Sequence, residues 1–159
     1  MNIFFETHHT ILSKLLEHDV EFIMVGGYAV IFHGYTRTTG DLDIWLKPNN
    51  DNKERLVDAL QELDFDEVGI GIIESWDFTK PHLFYIGKEP EKTEFMNYIS
   101  GVQYDEADKI AIKTVIENLN LKIIHVNSLI ENKLASGRLK DLSDVEHLKK
   151  IIEIRKKLK

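Results

Sequence analysis

The sequence contains no cysteine, which excludes a disulfide framework and any cysteine-based zinc site. No apolar run approaches the roughly 20 residues that a membrane span needs. The opening stretch MNIFFETHHT also lacks the positive and apolar regions of a signal peptide. The expectation is a cytoplasmic protein with no membrane partner. Positive charge is scarce as well. With 20 Lys and Arg against 27 Asp and Glu, the net charge is −7, which argues against a broad nucleic-acid surface. A local one stays open at the tail, where Lys149, Lys150, Arg155, Lys156, Lys157 and Lys159 gather. The alternative there is a solvated helix end whose cations suit the C-terminal dipole. The remainder is ordinary: 159 residues, 43% apolar and 30% charged, predict a single domain over 1–159 with a proper core.

The chemistry concentrates in residues 24–46, MVGGYAVIFHGYTRTTGDLDIWL. An apolar strand, 21–25, runs into Gly26 and Gly27, and a short apolar helix follows over 28–33. A polar loop with Arg37, Thr38 and Thr39 then leads to Asp41-Leu42-Asp43-Ile44-Trp45-Leu46. In a strand, residues i and i+2 share a face, so Asp41 and Asp43 stand side by side. Two neighbouring carboxylates repel unless a cation lies between them, and Mg2+ with substrate phosphate suits so small a set of oxygens. The glycine turn before a helix is the complement, aiming backbone N–H groups at an anion. Taken alone, Asp-Leu-Asp-Ile also fits an edge-strand face. The glycines fourteen positions before Asp41 (Gly27 to Asp41) favour the site.

Around this centre, helical spacing predicts a helix over 3–18, with His8 and His9 as surface residues, since adjacent residues share no helix face. Asn50 or Asp51 is expected to cap a helix over 53–63. Strands are expected at 69–73, 82–87 and 92–98, where Glu94 shares a face with Met96 and Tyr98. An acid in that company asks for a partner; beside Asp41 and Asp43 it becomes a third carboxylate, and otherwise it is a surface acid. Residues 104–109 read as a helical turn, and 112–117 with 121–126 as a hairpin. Two helices close the chain over 127–157, the first capped by Asn127 or Ser128 and ended by Gly137. His33 is expected to cap the short helix, and Trp45 and Trp76 to lie in the core or cover the sheet. The pattern is α+β, a mixed sheet backed by helices, with its core over 21–126.

Gly26-Gly27 followed by Asp41-x-Asp43 resembles the signature of the DNA polymerase β-like nucleotidyltransferase superfamily. Gly-Gly-Tyr-Ala-Val at 26–30, His-Gly at 33–34, Arg-Thr-Thr at 37–39 and Asp-Leu-Asp-Ile at 41–44 look like its small bacterial branch. Residues 131–144, ENKLASGRLKDLSD, are similar to the closing motif of the AbiEii-type branch, which includes toxins of toxin–antitoxin systems. The resemblance implies a polymerase β palm-like core and transfer of an NMP from an NTP to a hydroxyl of tRNA, protein or a small molecule. It also implies two Mg2+ ions bound with the NTP and an antitoxin or homo-oligomer partner. Asp41, Asp43 and Glu94 would be the metal ligands, and Glu94 would take the acceptor's proton. Gly26, Gly27 and the Tyr28 N–H would hold the triphosphate, with Arg37 and Thr38 beside it. Lys133 would be a point charge on phosphate, and Arg138, Asp141 and Asp144 would order that end of the site. The alternatives from the residues alone are a helix-surface lysine at 133 and an exposed salt-bridge face over 138–144. Where the superfamily usually has Ser after the glycines, this chain has Tyr28. A third class, an antibiotic-modifying transferase, is compatible with the acidic charge, and a non-catalytic partner module of the same fold is the main rival.

Overall fold

The computed structural model describes residues 3–158; Lys159 of the basic tail lies outside them. Among the described residues, six strands form one mixed sheet in the order β3-β4-β2-β1-β6-β5. The strands are β1 (Phe22–Val25), β2 (Leu42–Leu46), β3 (Leu83–Ile86), β4 (Thr93–Met96), β5 (Ile112–Ile116) and β6 (Leu119–Ile123). The parallel pairs are β2 with β4 and β1 with β6. All four residues of β1 are buried, as expected of an apolar run at the centre of a sheet. On β2, Leu42, Ile44 and Leu46 are wholly buried on one face, while Asp43 and Trp45 share the other.

Seven helices among the described residues accompany the sheet: α1 (Glu6–Glu17), α2 (Gly26–Phe32), α3 (Asn50–Glu62), α4 (Glu67–Ser75), α5 (Tyr104–Ile110), α6 (Val126–Ser136) and α7 (Leu139–Lys157). The α+β expectation holds, with α1 packed on α3 and β6, and α6 packed on α7. Among the described residues no helix is long and apolar enough to cross a membrane.

Several local expectations are corrected. Residues 69–73 form part of α4, not a strand. Asp66 caps that helix by accepting from the Gly69 N–H, and Ile70 and Ile73 point inward one turn apart. Asn49, one residue before the expected caps, accepts from the Asn52 N–H and starts α3. The 112–123 hairpin turns on Glu117 and Asn118, both at positive φ, as a two-residue turn matching strand twist requires. Its second strand ends at Ile123, and His125, not Asn127 or Ser128, caps α6. Gly137 ends α6 in the left-handed conformation, as its position predicts. His8 is not a surface residue. It is wholly buried, with its Nε2 2.9 Å from the Glu91 carbonyl oxygen, so it ties α1 to the loop before β4. His33 ends α2 as expected, and its Nε2 lies 2.7 Å from the Ile124 carbonyl oxygen.

Candidate active site

The turn from β1 into α2 needs both glycines. Gly26 sits at φ +68, and a Cβ there would lie 2.0 Å from Asp43 Oδ2. A Cβ on Gly27 would lie 2.4 Å from Thr39 Oγ1 and 3.2 Å from the Arg37 guanidinium. The absence of side chains therefore lets the start of α2 lie directly against Asp43. The N–H groups of a helix's first turn have no partner within the helix, and here they belong to Gly26, Gly27 and Tyr28. The Tyr28 side chain turns the other way. It is buried, its ring 5.3 Å from that of Phe4 and 6.1 Å from that of His8, and burial raises its pKa.

The parallel pairing of β2 with β4 sets Asp43 directly opposite Glu94. Asp43 is pushed up to about 7, first by burial, then by the charge and hydrogen bond of Glu94 and the charge of Asp41. Asp41 is raised too, by burial and by Glu89 beside it, and its Oδ1 is buried without a hydrogen-bond partner. Sequence reasoning missed two members of this group, Glu89 and Lys92. The Lys92 ammonium lies 3.0 Å from Glu94 Oε1, 3.4 Å from Glu89 Oε1 and 3.9 Å from Asp41 Oδ2. The i, i+2 spacing of Lys92 and Glu94 was the available signal.

The closing motif folds into a buried ion network. Lys133 is buried, with its ammonium 3.0 Å from Asp141 Oδ1 and 2.9 Å from Asp144 Oδ2. Asp144 also faces Arg37, whose Nε lies 3.1 Å from Oδ1 and whose second amine donates to Oδ2 at 3.2 Å. Arg138 Nε donates to Asp141 at 2.7 Å, and the Ser136 hydroxyl donates to the same carboxylate. Burial alone would raise the Asp141 pKa, but the hydrogen bonds from Ser136, Arg138 and Lys133 outweigh it and hold the group at about 2. Lys133 is no helix-surface lysine, and Asp141 and Asp144 are each only 2% exposed; of the expected exposed face only the Arg138 side chain, 76% exposed and paired i, i+3 with Asp141, lies at the surface. The network ties α6, α7 and the 34–40 loop together and fixes Arg37 beside Gly27.

A cleft of about 710 Å³ opens here, within the range of small-molecule sites. Gly27, Arg37, Thr38, Asp41, Asp43, Glu89, Lys92, Glu94, Arg138 and Lys140 line it. Of the residues singled out from the sequence, Gly26, Tyr28, Lys133, Asp141 and Asp144 do not line it. One wall is acidic and the mouth carries cations. Among the described residues no three Asp, Glu or His side chains already surround a metal position. The donor set nevertheless suits a hard cation: all oxygen, with one buried carboxylate oxygen unpartnered and two carboxyl pKa values raised, first by burial and then by neighbouring acids.

No family model matches the chain, and no curated protein matches it. Among solved structures, it is similar to a Thermotoga maritima protein named as a candidate nucleotidyltransferase, with TM-score 0.57 and 14% identity. The similarity covers 92% of this chain and 91% of that one. At that identity the likeness speaks for architecture: the chain shares the α+β fold of that protein.

Proposed function

We propose that this protein is a Mg2+-dependent nucleotidyltransferase that moves a nucleoside monophosphate from an NTP to a hydroxyl acceptor. The observation that carries it is the register of Asp43 with Glu94, packed against the Gly26–Gly27 turn. Asp41, Asp43 and Glu94 would hold the Mg2+, which when bound with the NTP supplies charge neutralisation for phosphoryl transfer. The N–H groups of Gly26, Gly27 and Tyr28 bind triphosphate oxygens. Arg37, pinned by Asp144, supplies charge at the inner end of the cleft, and Arg138 and Lys140 supply it at the mouth. Glu94 accepts the proton of the acceptor hydroxyl as its oxygen bonds to the α-phosphorus and the bond to pyrophosphate breaks. Lys133 acts behind this wall, holding Asp144 and through it Arg37.

For the acceptor, a tRNA end comes first, then a protein hydroxyl or a small molecule. The tRNA preference, a toxin–antitoxin setting, and an antitoxin or homo-oligomer partner rest on the resemblance of residues 131–144 alone. A second reading, a non-catalytic module of the same fold, is favoured by two observations: Tyr28 offers the cleft no hydroxyl, and Lys92 already neutralises part of the acid row.

The test is incubation with each α-labelled NTP, Mg2+ and total bacterial tRNA, with Asp43→Asn in parallel. Label entering RNA or protein with the wild type alone establishes the transferase. Calorimetry with Mg2+ and NTP follows if none transfers: binding without transfer leaves a missing acceptor or partner, and binding of neither removes the transferase reading.

A further inference from the structure

The acid row is not left without a cation. Lys92 stands immediately before β4, two residues ahead of Glu94 and on its face. Its main-chain carbonyl accepts from the Leu42 N–H at 3.0 Å, which fixes its backbone beside the end of β2. From there the ammonium reaches three carboxylates, Glu94, Glu89 and Asp41, on a side chain only 22% exposed. It also lies 5.5 Å from the ring centre of Tyr85, which faces Glu94 across the β3–β4 pair. An ammonium so placed lies against two of the three carboxylates assigned to the metal. A lysine is suited to this, because it is a compact point charge on a flexible stem and can swing aside without moving the strand.

We propose that Lys92 is the resident counter-ion of this centre: it stabilises the empty acid row and competes with a divalent cation for it. The proposal rests on the metal-dependent reading given above and adds the residue that sets the strength of metal binding. Free divalent cation enters only by displacing the ammonium from Glu94 and Asp41. Its affinity is therefore held down by an interaction internal to the chain. Once displaced, the ammonium remains at the cleft wall, within the same pocket as Arg138 and Lys140.

The probe is Mn2+ alone, measured by calorimetry and by the loss of the free-ion paramagnetic resonance signal. Wild type, Lys92→Met, Lys92→Arg and Lys92→Met/Asp43→Asn are compared. Lys92→Met should bind Mn2+ at least about tenfold more tightly than wild type, and its metal-free melting temperature should fall. Lys92→Arg keeps the charge and should bind as weakly as wild type. Adding Asp43→Asn to Lys92→Met should abolish the gained binding. Should Lys92→Met fail to fold, Lys92→Gln makes the same comparison. Equal or weaker Mn2+ binding by Lys92→Met, in a protein whose binding still depends on Asp43, would overturn the counter-ion role while leaving the metal site standing. No Mn2+ binding by any form, with or without NTP, overturns the metal-dependent reading and the proposal with it.

Discussion

At Gly26 two constraints coincide in one residue. Its φ of +68 costs an L-residue roughly 1–2 kcal/mol, and any Cβ would overlap Asp43, with 2.0 Å to Oδ2 and 2.7 Å to the carboxyl carbon. Asp43 cannot yield freely, because it is paired in register between Val25 and Glu94. Gly26→Ala should therefore cost about 2–4 kcal/mol and lower the melting temperature by roughly 5–15 °C. It should also weaken metal and NTP binding by moving the carboxylate. Gly27→Ala is milder in stability, since the obstruction is one threonine side chain, with its Oγ1 at 2.4 Å and its Cβ at 2.9 Å, and the backbone is unstrained. Thermal melts and calorimetry of both variants check the ranking; equal losses at the two positions would mean that Asp43 is more mobile than the packing shows.

At the scale of elements, helix caps and one glycine-rich helix were harder to read than the amphipathic helices. Residues 69–72 alternate Gly and Ile and so fit a strand's period of two. The decisive signals were the Asp66 cap and the i, i+3 spacing of Ile70 and Ile73. Within α4, a Cβ added at Gly71 would meet no heavy atom within 4 Å, and the residue has no positive φ. Gly71→Ala should therefore stabilise the protein by about 0.5–1 kcal/mol through helix propensity and reduced unfolded-chain freedom. Strand geometry at this position would not give that gain. The α6–α7 junction behaves in the opposite way. Lys133→Met leaves Asp141 and Asp144 buried with less compensation, and losing one partner of a buried ion network costs about 3–5 kcal/mol. Melts of Lys133→Met should show that loss. Asp144→Asn, which keeps the shape and loosens Arg37, should cost less stability and more NTP affinity.

Across the whole molecule, the half of the site that lies close together in sequence was legible. Gly26, Gly27, Asp41 and Asp43 sit on consecutive elements whose period fixes their faces. Glu94 needed the β2–β4 pairing, Glu89 and Lys92 needed the loop that His8 holds from α1, and the Lys133 network needed burial that spacing does not report. The same distribution of buried charge governs stability against pH. Asp43 holds its proton up to about 7 in the folded protein against a usual value of 3.8. The folded state thus binds more protons than the unfolded chain between those values, and stability falls as pH rises from about 4 to about 7, then levels. Asp141 acts in reverse: held at about 2, its contribution is present above about 4 and is lost as pH falls through about 2. His33, lowered mainly by burial, also opposes Asp43: below the usual histidine range the unfolded chain takes up its proton before the folded state does, so stability falls with falling pH. The wild-type curve alone therefore does not isolate Asp43, and the comparison with Asp43→Asn does. In EDTA, raising the pH from 5 to 8 should lower the wild-type melting temperature relative to that of Asp43→Asn. Mg2+ should recover more stability at pH 8 than at pH 5, because the cation replaces the proton between the carboxylates. Parallel curves for the two proteins would mean that Asp43 and Glu94 do not share a charge, and the metal assignment would lose its electrostatic basis.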